Sequence, residues 1–159
     1  MKKRIVVLSL LILFSLLVVG CSTKSTADGS IQTSIEAIEA FDVLLNNALN
    51  DSNSLLSTFN RSLDGLYTGD TSDAQFAKIM KDLVTSSQTL ISEVEKTTVD
   101  PSVFVYKQNL ITHLNLQHDL FLSAVESAIE ESIQKDSLRR DYLYLKEEQS
   151  EILNAWNNS

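Results

Sequence analysis

Apolar residues recur at alternating steps of four and three from Ile31 to Leu66, and this periodicity is the strongest constraint on the fold. Nine of the eleven positions on this stripe are apolar, and Asp42 and Ser52 are the exceptions. Such spacing places the apolar residues on one face of a helix. The chain has only one Pro and four Gly, whereas an all-β fold needs turn residues at short intervals. The sequence therefore predicts an all-α protein.

Three further stripes follow the same rhythm, and turn or cap signals separate them. The segment from Gly65 to Asp70 is typical of a turn, and Ser72 and Gln75 have the spacing of a capping box. Asp100-Pro101 is typical of a helix start, and Asp136-Ser137 offers an N-cap where the stripe shifts. We therefore predict four helices, at about 31–66, 72–97, 101–134 and 137–157.

Short connections favour antiparallel neighbours, so the predicted architecture is an up-down-up-down four-helix bundle with helices of unequal length. Since no Gly or Pro occurs from Ser102 onward, the alternative is three long helices with the last two fused. The first helix is the longest, and its first ten residues extend beyond the level reached by the second. We expect Ile31, Ile35 and Ile38 to remain partly exposed there, and such a patch usually marks a contact site.

The amino-terminal segment has the features of an export signal. Basic residues from Lys2 to Arg4 precede an apolar run from Ile5 to Val19, which is too short to cross the hydrocarbon core as a helix. The run ends in Val18-Val19-Gly20-Cys21, which resembles the lipobox of bacterial lipoproteins. The resemblance implies cleavage before Cys21, a diacylglycerol on its thiol and a fatty acyl chain such as palmitate on the new amino terminus. The alternative is an uncleaved anchor helix.

The resemblance implies a signal peptide (1–20) and a lipidated Cys21. The polar segment that follows has no apolar periodicity and predicts a flexible tether (21–30), and the apolar stripes predict a helical domain (31–159). Loss of the signal leaves 10 basic and 21 acidic residues, a net charge of −11. Anionic lipid headgroups repel such a surface, so the covalent lipid must hold the protein on the membrane. The expected location is the extracytoplasmic face of the cell membrane. The negative charge also argues against a nucleic-acid partner.

Motifs for catalysis or cofactor binding are absent from the sequence. His113 and His118 are five residues apart, so they do not share one helix face as two metal ligands would. The only cysteine is the predicted lipid site, which leaves no cysteine nucleophile. We therefore predict no catalytic, cofactor-binding or metal-binding residues. The sequence favours a non-enzymatic interaction module with a membrane-proximal protein or envelope partner; the alternative is a bundle that binds a small or apolar ligand.

Polar residues interrupt the apolar stripes at Ser52 and Ser87, and His113 lies at the edge of the third stripe. Counting residues through the two predicted turns places Ser52 near the level of 86 and Ser87 near the level of 111. The three side chains are therefore predicted to form one polar layer in the core, because buried polar groups require hydrogen-bond partners. The alternatives are a polar ligand site inside the bundle, or exposure at a kink near Asn50 to Ser54.

Overall fold

A computed structural model describes residues 27–159, and it describes side chains from Ile35 onward. Residues 33–159 form one compact unit. Helix α1 begins at Ala27 and ends at Thr68, and α2 comprises Asp73–Lys96. A 3₁₀ turn at Pro101–Val103 leads into α3, Phe104–Ile129, and α4 is Lys135–Asn157.

The all-α four-helix bundle is confirmed, and contacts between the helices define their directions. Residue numbers fall along α4 as they rise along α1, since Trp156 contacts Asp42 and Arg139 contacts Asp64. In α1 and α3 both numbers rise together, from Phe41 against Tyr106 to Phe59 against Phe121. Helix α1 is therefore antiparallel to α4 and parallel to α3, as the predicted up-down-up-down topology requires.

The predicted helix boundaries hold at the first turn. Gly69 follows the last residue of α1 and has a φ of 84°, a conformation that glycine adopts without a Cβ clash. The Ser72 hydroxyl accepts a hydrogen bond from the Gln75 backbone N–H, and the Gln75 side chain accepts one from the Ser72 backbone N–H. This reciprocal pair is the capping box that the sequence predicted.

The connection between α2 and α3 is longer than predicted. Asp100 is the N-cap of the turn that leads into α3, as expected, because its carboxylate accepts hydrogen bonds from the backbone N–H and the hydroxyl of Ser102. These two bonds stabilise the charged form and lower the pKa of Asp100. The residues that follow, Pro101–Val103, form a 3₁₀ turn, and the α-helix starts only at Phe104.

The connection between α3 and α4 also differs from the prediction, and it excludes the alternative of one fused helix. Helix α3 ends at Ile129 rather than near residue 134, and Glu131 adopts a positive φ of 54° that breaks the helical path. The predicted N-cap at Asp136-Ser137 is wrong. Helix α4 already begins at Lys135, and the Asp136 carboxylate instead accepts a hydrogen bond from the Tyr67 hydroxyl at 2.6 Å.

Helix α1 starts earlier than predicted, and the alternative of a break near Asn50 to Ser54 is wrong. It begins at Ala27, so residues 27–30 of the predicted tether are helical, and the earlier part of the tether lies outside the described residues. It also continues without a break through Asn50 to Ser54. Two of the polar side chains there bond to other helices, Ser52 to Gln117 and Asn53 to Lys146, so they do not compete with the backbone bonds of α1.

The core has two parts, one at each end of the bundle. The closed end, where α1 turns into α2 and α3 into α4, contains four phenylalanine or leucine side chains with no exposed area: Phe59, Leu63, Phe76 and Phe121. The open end lies where the first turns of the compact unit, the α2–α3 connection and the last turns of α4 come together. Its core is built around Phe41, Leu45, Leu110 and Trp156.

Candidate functional site: the groove at the open end

A surface groove of about 670 Å³ lies at the open end of the bundle. Three segments form its walls: residues 38–43 of α1, residues 102–106 at the start of α3, and residues 156–159 at the end of the chain. Apolar side chains supply much of the lining, among them Ile38, Val43, Val103, Tyr106 and Trp156. Concave, largely apolar surfaces of this size are the usual form of binding sites.

Trp156 is the fixed element of the groove. Its indole Nε1 donates a hydrogen bond to the Asp42 carboxylate at 2.8 Å. Its ring meets Phe41 edge-on at 4.9 Å and Tyr106 edge-on at 5.2 Å between centroids, a favourable geometry for aromatic pairs. Asp42, which interrupts the apolar stripe of α1, therefore orients the tryptophan. Trp156 therefore closes the core at the open end of the bundle.

The uncovered stripe of α1 continues from this groove. Ile35 is 51% exposed and Ile38 is 48% exposed, whereas Leu45, two turns after Ile38, is buried. The prediction that the first turns of α1 retain an exposed apolar seam is confirmed for these two residues. The side chain of Ile31, the third member of the predicted patch, lies outside the described residues.

The predicted polar layer is buried, but its members do not bond to one another. Ser52 donates to the side-chain oxygen of Gln117, and the Gln117 amide donates back to the Ser52 carbonyl at 3.3 Å. The hydroxyl of Ser87 pairs with Nδ1 of His118 at 2.8 Å. Gln117 and His118 thus take the place that the sequence analysis gave to His113.

The cause of this error is the register between α2 and α3. The count assumed that α3 restarts level with Thr97, but α3 begins at Phe104. The buried Lys107 ammonium reaches the carbonyl oxygens of Glu95 and Thr97 at 2.9 and 2.6 Å. Ser87 therefore bonds to His118, two helical turns beyond the predicted level of residue 111. No sequence signal gave the length of the connection in advance.

His113 is the exception in an otherwise satisfied core. It is 1% exposed, and within the described part of the chain neither ring nitrogen has a hydrogen-bond partner. Burial disfavours the charged imidazole and lowers the pKa of His113 to about 4; the Glu148 carboxylate opposes this shift and the Lys146 ammonium adds to it. The ring forms part of the wall of a pocket of about 250 Å³ between α3 and α4.

Cys21, the predicted lipid attachment site, lies outside the described residues, as does the predicted signal peptide. Of the helices that the structure describes, none combines the length and the apolar character needed to cross a membrane. Within the same residues, no group of three or more His, Cys, Asp or Glu side chains is placed to hold a metal ion.

Comparison with known proteins adds no relative. No protein-family model, curated protein or solved structure matches this chain. Function is therefore inferred from the residues of the chain itself, and above all from the groove at the open end.

Proposed function

We propose that the protein is a bacterial lipoprotein, anchored through Cys21 on the extracytoplasmic face of the cell membrane, whose helical bundle is a non-enzymatic interaction module. The groove at the open end would receive a membrane-proximal protein or envelope partner. The observation that carries the proposal is the apolar stripe of α1, which leaves the core and stays half exposed at Ile35 and Ile38 beside the groove. Contiguous exposed apolar surface of this kind is typical of contact sites.

The lipobox-like sequence before Cys21 supports the anchoring half of the proposal. Intact mass spectrometry of the protein from bacterial membranes should show loss of residues 1–20 and addition of a diacylglycerol. A Cys21→Ser variant should lack this addition and should leave the membrane fraction or remain as the precursor. An unmodified Cys21 in the natural protein would contradict the anchor.

Photo-crosslinking in living cells tests the interaction half. A photoreactive amino acid would replace Ile38 in one strain and Ile129 in another. Ile129 is a matched control, because it is an isoleucine that is 63% exposed but lies at the closed end. We expect a defined cross-linked species from position 38 that is absent from position 129 and is lost in the Cys21→Ser background. Equal cross-linking from both positions would contradict a binding surface at the open end.

The groove also favours a second candidate function, the binding of a small apolar ligand. Its volume of about 670 Å³ lies within the range of small-molecule sites. The ligand would lie in this surface groove rather than in the bundle interior, where aromatic side chains such as Phe59 and Phe121 fill the space. Native mass spectrometry of the purified protein should then show a retained small molecule that a bulky substitution, Val43→Trp, displaces.

A further inference from the structure

The charges around the groove define the kind of partner that it accepts. Two exposed carboxylates, Glu36 and Glu39, lie on the same turns of α1 as Ile35 and Ile38. Asp42 lies one turn further along, with its carboxylate on the Trp156 indole. The exposed apolar seam is thus accompanied by negative charge along its length.

Among the residues that the structure describes, no Lys or Arg lines the groove to offset these carboxylates. Residues 33–60 of α1 and residues 147–159 of α4 contain no Lys or Arg, and neither do residues 97–106 of the connection and the start of α3. The first basic residue of α3 is Lys107, which is buried and hydrogen-bonded to two backbone carbonyl oxygens at the end of α2. All three walls of the groove are therefore acidic or neutral.

We infer that the groove binds a cationic amphipathic helix of a membrane-proximal protein, with apolar residues on the groove and flanking Lys or Arg residues against Glu36 and Glu39. This inference rests on the proposed function and adds the chemistry of the partner. Helices commonly dock apolar residues at i, i+3 or i+4 spacing into such a groove. Opposite charge at the rim speeds association and excludes wrong partners.

The same charges argue against two other occupants. A second copy of the chain would bring its own Glu36 and Glu39 against an acidic rim, and like charges facing each other weaken an interface. A bilayer with anionic headgroups would repel the rim in the same way. A partner with positive charge around an apolar stripe satisfies both features of the surface at once.

The test measures binding of designed peptides to the full lipidated chain in nanodiscs of phosphatidylcholine. One peptide is an amphipathic helix with a leucine stripe and flanking lysines. The second carries glutamates in place of the lysines, and the third has the composition of the first with the stripe scrambled. We expect the lysine peptide to bind at least about tenfold more tightly than either of the others, and less tightly as salt rises.

Two charge-reversal variants locate the site. The double variant Glu36→Lys, Glu39→Lys should bind the lysine peptide about tenfold or more less tightly. Glu126→Lys with Glu130→Lys is the control, because it makes the same change of charge at exposed positions near the closed end. It should change the affinity by less than about twofold. Circular dichroism would show that both variants keep the helical fold.

Three outcomes would overturn the inference. The first is an equal loss of peptide affinity in the two charge-reversal variants. The second is equal affinity for the lysine and glutamate peptides. The third is concentration-dependent dimerisation of the protein through the groove in place of peptide binding. If no peptide binds while Ile38 still cross-links in cells, the charge inference fails and the proposed function stands. If Ile38 and Ile129 cross-link equally, the proposed function itself fails.

Discussion

The two ends of the bundle differ in how far they cover the apolar face of α1, the helix that passes through both. At the closed end its apolar face is fully covered, and polar side chains on the surface form hydrogen bonds between α1 and α4. Arg139 donates to Asn60 and Asp64 there, and Tyr67 donates to Asp136. At the open end the same apolar face continues past its neighbours and remains half exposed at Ile35 and Ile38. Apolar periodicity therefore defines a helix face, whereas the lengths of the other helices decide where that face is covered.

The largest expected difference between the ends is in stability. Leu63→Ala should lower the free energy of unfolding by about 3–5 kcal/mol, because it leaves a cavity in a core that cannot collapse. Ile38→Ala should lower it by less than about 1 kcal/mol, because the side chain is 48% exposed already. Urea unfolding of unlipidated Cys21→Ser protein, followed by circular dichroism, measures both. Similar losses in the two variants would show that the ends do not differ.

Burial of His113 makes the stability of the core sensitive to acid. Its pKa is lowered from 6.5 to about 4 in the folded protein, so the unfolded chain binds the proton more tightly. This contribution to stability is complete above pH 6.5 and is lost as the pH falls toward 4, about 3 kcal/mol in all. His113→Leu should reduce the loss of stability between pH 7 and pH 4 by that amount. Parallel pH profiles for the two proteins would contradict a buried neutral imidazole.

Substitution in the buried pair of Ser52 and Gln117 should cause the next largest loss of stability. Ser52→Ala leaves the Gln117 side-chain oxygen buried without its donor and should cost about 1–3 kcal/mol. Adding Gln117→Met removes the stranded oxygen and should recover most of the loss. Chemical denaturation of the single and double variants measures the coupling. A double variant that is less stable than Ser52→Ala would contradict this, because Gln117 would then stabilise the fold through contacts other than its bond to the Ser52 hydroxyl.

The ion pair between Arg139 and Asp64 at the closed end should have the smallest effect. Asp64 is more than half exposed, and exposed pairs typically contribute about 0.2–1 kcal/mol. Asp64→Asn should therefore lower stability by less than about 1 kcal/mol, and added salt should remove most of the difference. Thermal melts at low and high salt check this. A large loss that persists at high salt would contradict a weak, exposed ion pair.

Much of the fold was predictable because it depends on local sequence. The four-three stripes and the cap at Ser72 gave the helices of residues 31–159 and the first turn, and helix length gave the exposed seam at Ile35 and Ile38. The partners of the polar core residues depend instead on the register between helices. A seven-residue connection with a 3₁₀ turn shifted that register, so Gln117 and His118 were missed. Two glutamines bond to backbone carbonyl oxygens of α1, Gln117 and Gln149. Gln117 follows Leu114 by three residues and Gln149 follows Leu145 by four, and this helical spacing from apolar residues was their only sequence signal.

Thiol labelling along the α1 stripe tests the difference between the ends most directly. Cys21 is the only cysteine of the chain, so a Cys21→Ser background carries a single reporter thiol at the chosen position. Ile38→Cys should react with a maleimide nearly as fast as an unfolded control. Leu45 lies two turns further along the same face and is 1% exposed. A cysteine at this position should react about a hundredfold or more slowly than the unfolded control. Protection at both positions would show that the seam is covered and would contradict an open binding surface.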